Sequence, residues 1–460
     1  MAIRGKGNCF NYQMGKNNIE KYSAGYALIK AVAGFWHNKF FYRKIIIIGQ
    51  ENINPEHHLI FAPNHQNALM DALAVLFTNK SQNVFLARAD IFKKKSIASI
   101  LYFLKLLPVY RIRDGYSSLK GNDEIFAKTI DVIKNKNGLV ILPEGNHEGF
   151  RRLRQLKKGI CRVAFQSDEA ENNSLKIKII PVGLEYSHYI RYRQVLTVVY
   201  GKPIEVSEYH ELYKTSPERA LVELKNRLSD EIKNLMIHIE SEEDYEAIDE
   251  LRSIINGKYS DDIKYPKIFR DRILIEKLKN LRESDNQLYR KICTLSLAVK
   301  EKTAETGIDY RHLEKRRNPL GWLLAGMLVI LIGLPVFLFG NIFNAIFMGL
   351  PIWQTRNIKD PQFVSSLRYG FSVALAIIFL PLFLILSLFL FSTWWIGLIF
   401  FISLPLTGLI AWNYYLLYRR ILGGFKIRKY SSGKNKEYQK LKDAHIELIN
   451  LVENIQNDSK

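Results

Sequence analysis

Short apolar runs alternate with helix-period segments through the first two hundred residues, and far longer apolar runs dominate the last third of the chain. The short runs fall at residues 45–49, 59–62, 83–87, 106–112, 139–142, 177–182 and 195–200, and read as buried strands. Helical spacing appears between them at 68–78, 91–104, 119–134 and 157–166. Strands alternating with helices in this way predict one α/β domain around a largely buried sheet.

The flanking regions have different patterns. Residues 22–41 carry Tyr26, Ile29, Ala33 and Phe40 near one helical face, with Trp36 and Phe41 close by and Lys21, Lys39, Arg43 and Lys44 around them. A helix lying in a lipid headgroup layer and a helix packed on the soluble core both fit this stretch. From Ser216 and Pro217, a credible cap and first helical residue, to about residue 306 the chain is charged and helical, as expected of several amphipathic helices.

Residues 321–353 carry no charge, which exceeds the roughly 20 residues a membrane crossing needs. Residues 371–391 and 394–416 are each long enough to span. Because the 356–368 segment and the end of the chain are both basic, positive-inside reasoning places them in the cytoplasm with the N-terminal domain. That expectation folds 321–353 into a re-entrant hairpin at Gly333 to Pro335, with Asn341 and Asn344 facing protein, and makes 371–416 a transmembrane hairpin. The plan is thus an N-terminal segment 1–44, an α/β domain 45–205, a charged helical region 206–318, a membrane region 319–418 and a basic cytoplasmic tail 419–460.

Charge sharpens the choice of partner. Lys and Arg outnumber Asp and Glu by 66 to 45, a formal +21, so an anionic partner is expected. Membrane lipid or a phosphorylated substrate meets that need; no nucleic-acid recognition module is visible. Three scattered cysteines, Cys9, Cys161 and Cys293, make neither a disulfide framework nor a zinc pattern and suit a reducing cytosol. No metal-ligand spacing, glycine-rich phosphate loop or N-terminal secretory signal is evident.

Four stretches carry candidate chemistry. In the first, Phe61-Ala62-Pro63-Asn64-His65-Gln66, an apolar run stops at a proline and a helical pattern resumes near Ala68, so His65 falls on a strand-to-helix turn. On a continuous helix the six-residue step from His65 to Asp71 turns the side chain by roughly 240°. The two can pair only if the turn is not helical; Asp71 would then hold one imidazole nitrogen while the other takes a proton. A capped helix with a solvated Asp71 is the plainer reading of the same residues. The second stretch, Val109-Tyr110-Arg111-Ile112-Arg113, points two guanidinium forks the same way along an extended segment, a geometry suited to phosphate. The third, Leu142-Pro143-Glu144-Gly145-Asn146-His147, ends a strand in a carboxylate beside a glycine that lets a ligand approach the backbone. The basic run Arg151, Arg152, Arg154, Lys157 and Lys158 follows, either a solvated face or a contact for an anionic donor, with His147 at most lining a pocket. The fourth, Ile180-Pro181-Val182-Gly183, is an apolar strand that needs no functional explanation by itself.

Taken in order, Asn64-His65 with Asp71, Arg111 and Arg113, Pro143-Glu144-Gly145, and Pro181 resemble the four-block signature of the glycerolipid acyltransferases. The resemblance covers roughly residues 22–205. It implies an α/β acyltransferase domain in which His65 is the base and Asp71 its orienter. Asn64, Arg111, Arg113, Glu144 and Gly145 would hold the acceptor, and Pro181 would belong to the acyl-donor site. It implies no bound cofactor and no metal, the donor being acyl-CoA or acyl-carrier protein.

Five residues separate His65 from Asp71 where four are usual, a spacing similar to that of fungal glycerol-3-phosphate and dihydroxyacetone-phosphate acyltransferases. Leu142 and Asn146-His147 also depart from the family pattern. The resemblance therefore implies a membrane-bound O-acyltransferase of phospholipid biosynthesis acting on a glycerol-phosphate acceptor. Lysophosphatidate (1-acylglycerol 3-phosphate) is expected first, with glycerol 3-phosphate and dihydroxyacetone phosphate as alternatives, and a non-catalytic anionic-lipid scaffold as the reading from another class.

Overall fold

The Ile-, Val- and Phe-rich runs become strands, covered on both faces in the middle of the sheet and partly exposed at the edge run 42–48, and eight strands form one sheet. The computed structural model describes residues 18–109, 121–258, 266–313, 319–432 and 435–457. The strands are β1 (Tyr42–Ile48), β2 (Leu59–Pro63), β3 (Val84–Arg88), β4 (Leu106–Val109), β5 (Leu139–Val140), β6 (Lys178–Tyr186), β7 (Gln194–Tyr200) and β8 (Ile204–Glu205). They lie in the order β1-β7-β6-β2-β5-β3-β4, with β8 beside β6. β6 pairs antiparallel with β7 and β8, and every other pairing is parallel.

β2 runs between β5 and β6 and is buried along its whole length, which accounts for its unbroken apolar sequence. Its carboxyl end at Pro63 is where open α/β sheets present ligands. β5 is shorter than the run at 139–142 suggests, because the backbone turns at Pro143 and the Gly145 N–H closes back on the Leu142 carbonyl at 3.1 Å. Of the strand expected at 106–112, residues 106–109 are formed; Arg111 and Arg113 lie outside the described residues.

The helices that cover the sheet are α1 (Ala24–Phe35), α2 (Leu69–Thr78), α3 (Lys95–Phe103), α4 (Gly121–Lys134), α5 (Gly159–Glu169), α6 (His210–Thr215) and α7 (Pro217–Leu235). Ser23 caps α1 by accepting the Tyr26 N–H at 3.2 Å. Tyr26 and Gly34 turn inward on this helix, whereas Tyr22 just before it and Leu28, Val32 and Phe35 on it stay exposed. Ala220, Leu221, Leu224, Leu228 and Ile232 form the buried stripe of α7 at helical spacing.

The first of two compact units comprises residues 1–236 and 357–370. The α/β unit therefore reaches past the boundary expected at 205 and takes in α6 and α7, whose apolar stripe needs the sheet. Residues 357–370, read from sequence as a basic connection, also belong to it.

The second unit comprises residues 237–356 and 371–460. Its soluble helices are α8 (Tyr245–Lys258), α9 (Lys267–Ser284) and α10 (Asn286–Thr306). A buried ion pair joins Arg252 to Asp271 at 2.9 Å, and the Tyr289 hydroxyl donates to Asp244 at 2.8 Å. The apolar helices are α11 (Leu320–Asn344), extended by a π-turn and α12 (Leu350–Gln354), α13 (Pro361–Leu390) and α14 (Trp394–Ser432). Residues 320–354, α13 and α14 are each long and apolar enough to cross a bilayer, which makes this a membrane protein.

Two expectations are corrected here. The hairpin bent at Gly333 to Pro335 does not form, since Leu320–Asn344 is one continuous helix with Pro335 inside it. Gly326 faces Ile421, Gly333 faces Tyr414, and Gly340 faces Thr407. Each step of seven up α11 is a step of seven down α14, so the two are antiparallel. That pairing brings Leu320 and the basic stretch near Arg419 to the same end. Asn344 faces protein as expected and donates to the Gly408 carbonyl at 2.8 Å. Nor is 419–460 a free tail: α14 runs to Ser432, and α15 (Lys436–Asn457) buries Leu441, Leu448 and Val452 in its own unit.

A Cβ on Gly183 would meet the Leu235 carbonyl oxygen at 2.2 Å, whereas one on Gly159 meets nothing within 4 Å. Gly183→Ala should therefore lower the thermal unfolding midpoint by several degrees, a loss of about 1–3 kcal/mol for an overpacked site. Gly159→Ala should not lower it. Equal midpoints for the two variants would contradict this packing of α7 on β6.

Candidate active site

Between Pro63 and the first residue of α2 the backbone makes a non-helical turn, and this turn brings His65 and Asp71 together. Ala68 adopts φ 46°, ψ −126°, a conformation that costs a residue with a Cβ on the order of 1–3 kcal/mol. Asp71, in the first turn of α2, reaches back across the bend. Its Oδ2 accepts from His65 Nδ1 at 2.8 Å and from the backbone N–H groups of Gln66 and Asn67, each at 2.7 Å. Its Oδ1 accepts the Tyr186 hydroxyl at 2.7 Å.

Asp71 is fully buried, and at the helix N-terminus its carboxylate faces four donors. A carboxylate that only accepts requires the proton on His65 Nδ1, which leaves Nε2 with a free lone pair. The His65 side chain is 15% exposed, so it can reach a bound substrate. Burial and the Asp71 charge hold the Tyr186 and Tyr42 hydroxyls well above the ordinary tyrosine range.

The other blocks position this turn. The Asn64 amide is wholly buried and spent on β6: Oδ1 accepts the Leu184 N–H at 2.6 Å and Nδ2 donates to the Leu184 carbonyl at 3.2 Å. Its side chain thus locks the turn to the sheet and is not turned toward a substrate. Glu144 accepts the His65 N–H at 2.6 Å with one oxygen and the Arg154 N–H at 3.1 Å with the other. Gly145 has φ 69°, which glycine takes at no steric cost. Pro181 is buried opposite Ala62 in the sheet, and its carbonyl accepts the Gly201 N–H at 2.9 Å.

Several participants carried no sequence signal. Tyr186 and its neighbour Glu185 end β6, and the buried Arg151 donates to Glu185 at 2.9 Å and to the Tyr186 carbonyl at 2.8 Å. This first arginine of the basic run is therefore an internal strut, not part of a solvated face. His147 stands beside His65, ring centroids 5.2 Å apart; burial, then the His65 charge, hold it below the ordinary histidine value. Gln66 Nε2 and Arg154 NH1 are buried donors with no partner among the described residues. The described residues contain no group of three or more His, Cys, Asp or Glu placed to hold a metal ion.

A histidine base next to unsatisfied donors at the end of a parallel strand is equipped to activate a hydroxyl and hold an anion. Residues 44–185 match the family model described as Acyltransferase. Over 134 residues the chain is 28% identical to glycerol-3-phosphate O-acyltransferase 2 of Saccharomyces cerevisiae, covering 29% of this chain and 18% of that protein. Over 152 residues it is 24% identical to glycerol-3-phosphate O-acyltransferase 1 of the same yeast, covering 31% and 19%. The chain thus spans under a fifth of the length of these relatives. A crystal structure of the 1-acyl-sn-glycerophosphate (LPA) acyltransferase PlsC from Thermotoga maritima aligns with 49% of this chain and 84% of its own, at 18% identity and TM-score 0.29.

Burial pushes the Glu144 carboxyl from its ordinary 4.5 up to about 8, the N–H groups of His65 and Arg154 opposing the rise. The folded chain then holds this proton where the unfolded chain has released it. The contribution to stability is complete below about pH 4.5 and is lost as pH rises through about 8. Thermal unfolding across that window should show the wild type losing stability relative to Glu144→Gln. Parallel curves would contradict the assignment.

Proposed function

We propose that this chain, whose residues 44–185 form a domain of the glycerolipid acyltransferase family, is a membrane-bound O-acyltransferase that moves a fatty acyl group from a thioester to a glycerol-phosphate hydroxyl. The observation that carries the reading is the 2.8 Å contact of His65 Nδ1 with the buried Asp71 carboxylate, from which the proton on Nδ1 and a basic Nε2 follow. Nε2 removes the hydroxyl proton as the oxygen attacks the thioester carbonyl. The carbon–sulfur bond then breaks and the thiolate leaves; a thiol pKa of about 8.5 spares it strong acid assistance. The proton on Nε2 is released to solvent or to the thiolate, which restores the base. Asp71 stabilises the imidazolium between these steps.

The buried donors of Arg154 and Gln66 receive the acceptor phosphate, and the order of the four blocks in the sequence assigns Arg111 and Arg113 the same role. Glu144, Gly145, Asn64 and Pro181 act by fixing the turn and the sheet edge. The acceptor is glycerol 3-phosphate, the compound in the names of both yeast relatives and in keeping with the five-residue spacer. Lysophosphatidate is the second reading, the one that the order of the four blocks favours. The donor is an acyl thioester of coenzyme A or of a carrier protein, and no metal takes part.

The α/β unit works at the cytoplasmic membrane face. The exposed Leu28, Val32 and Phe35 of α1 and Ile97, Ile100 and Phe103 of α3, with exposed Lys93, Lys94 and Lys95 alongside, form a surface suited to anionic lipid. A Cβ on Gly25 would touch the Phe103 ring at 3.7 Å, so the two apolar faces are continuous.

Detergent-purified protein offered glycerol 3-phosphate, dihydroxyacetone phosphate and lysophosphatidate, each with both donor types, tests the reading. Glycerol 3-phosphate should give the highest kcat/KM. His65→Ala should lower kcat by about 10²–10⁴-fold, the scale of general-base catalysis, in a protein that unfolds like the wild type. Near-normal turnover by that variant would refute the assignment.

A further inference from the structure

The opening turns of α13 lie in the same compact unit as the catalytic turn, nearly two hundred residues beyond the end of the matched acyltransferase segment. Sequence reading gave them no chemical role. Yet they touch the site repeatedly. The fully buried Ser365 donates its hydroxyl to Asn67 Oδ1 at 2.7 Å. Asn67 in turn donates its backbone N–H to Asp71 Oδ2 at 2.7 Å, and Asp71 holds His65.

A second line of contact runs through His147. The Phe363 ring stands perpendicular to the His147 imidazole at 4.7 Å, on a residue that itself neighbours His65. Phe363 is 41% exposed, so it offers apolar surface beside the two histidines instead of filling the core. With its amide suitably oriented, Gln362 donates to the His147 carbonyl at 3.2 Å and accepts the Gly149 N–H at 2.8 Å. Farther along the helix, Arg368 donates to the Ile190 carbonyl at 2.9 Å and Tyr369 to the Ala33 carbonyl at 2.9 Å.

We propose that residues 361–370 are a working wall of the acceptor pocket, with Ser365 a positioning residue for the His65 turn and Phe363 a specificity-determining surface beside His147. The role follows from what the turn requires. Ala68 sits in a backbone conformation that persists only where the surroundings over-determine it. Ser365 is one such constraint, because it fixes the side chain of Asn67, the residue before the strained Ala68 and one whose backbone N–H holds Asp71. The acceptor, its reacting hydroxyl at His65, then extends past His147, and bulk beyond that hydroxyl meets the Phe363 ring. The inference rests on the acyl-transfer reading of the site.

Three variants of the full-length detergent-solubilised protein test it: Ser365→Ala, Ser365→Thr and Phe363→Ala. A neutral hydrogen bond contributes about a tenfold factor, so Ser365→Ala should lower kcat about tenfold with acceptor KM within about twofold. Ser365→Thr, which keeps the hydroxyl, should restore kcat. Phe363→Ala should raise acceptor KM about tenfold at near-constant kcat and alter the ratio of kcat/KM between glycerol 3-phosphate and lysophosphatidate.

An independent readout is the imidazole NMR spectrum of the same proteins without substrate. Ser365→Ala should move the His65 Nδ1–H resonance, and Phe363→Ala should move that of His147. Unmoved resonances, or a Ser365→Ala enzyme with wild-type kcat, would overturn the proposal. So would a Phe363→Ala enzyme with unchanged acceptor KM and preference. If the wild type acylates none of the three acceptors, the acyl-transfer reading fails, and the imidazole shifts alone decide whether this helix shapes the histidine turn.

Discussion

A carboxylate removed from water must find donors for its lone pairs, and the arrangement around Asp71 follows from that requirement. Buried without partners, such a carboxylate would be costly to the fold. Its four donors come from three places: the imidazole it orients, two N–H groups of the turn, and the hydroxyl of Tyr186 at the end of β6. Each donor needs its own support. Asn64 ties the turn to β6, Glu144 ties it to the loop after β5, and the Arg151–Glu185 pair steadies the strand end that carries Tyr186. Removing one donor leaves a buried charge under-satisfied, which costs more than the bond itself contributes.

The same logic explains why residues far apart in sequence converge here. A strained residue such as Ala68 survives only within a rigid frame, and the frame is assembled from β2, β6, α2 and the start of α13. Helix α13 then continues as one of the three long apolar helices among the described residues.

Much of this was legible in the sequence, for reasons that can be named. The strands announced themselves because a doubly covered sheet demands continuous apolar runs, and β2 shows it most clearly. The pairing of His65 with Asp71 was legible as a condition on the turn, since a six-residue step cannot align two side chains on one helix. The family resemblance was carried by the order of the four blocks, each weak alone. Other features left no local trace. Tyr186, Ser365 and Phe363 act through contacts that only the folded chain creates, Ser365 across 298 residues. The supposed hairpin at Gly333 to Pro335 failed because proline inside a helix is tolerated when a neighbour packs closely, and α14 does so through Gly326, Gly333 and Gly340. Charge pattern alone could not reveal that α11 and α14 run antiparallel, which only the glycine contacts between them show.

The central claim is that Asp71 fixes the tautomer that makes His65 a base. Replacing Asp71 by Asn conserves shape but removes the charge that holds the Nδ1 proton and stabilises the imidazolium. Acyl transfer by Asp71→Asn, measured against wild type with glycerol 3-phosphate and an acyl thioester, should show kcat reduced by about 10⁴-fold at little-changed acceptor KM. A variant that keeps kcat within about tenfold of wild type would show that the Asp71–His65 bond does not set the reactivity of this site.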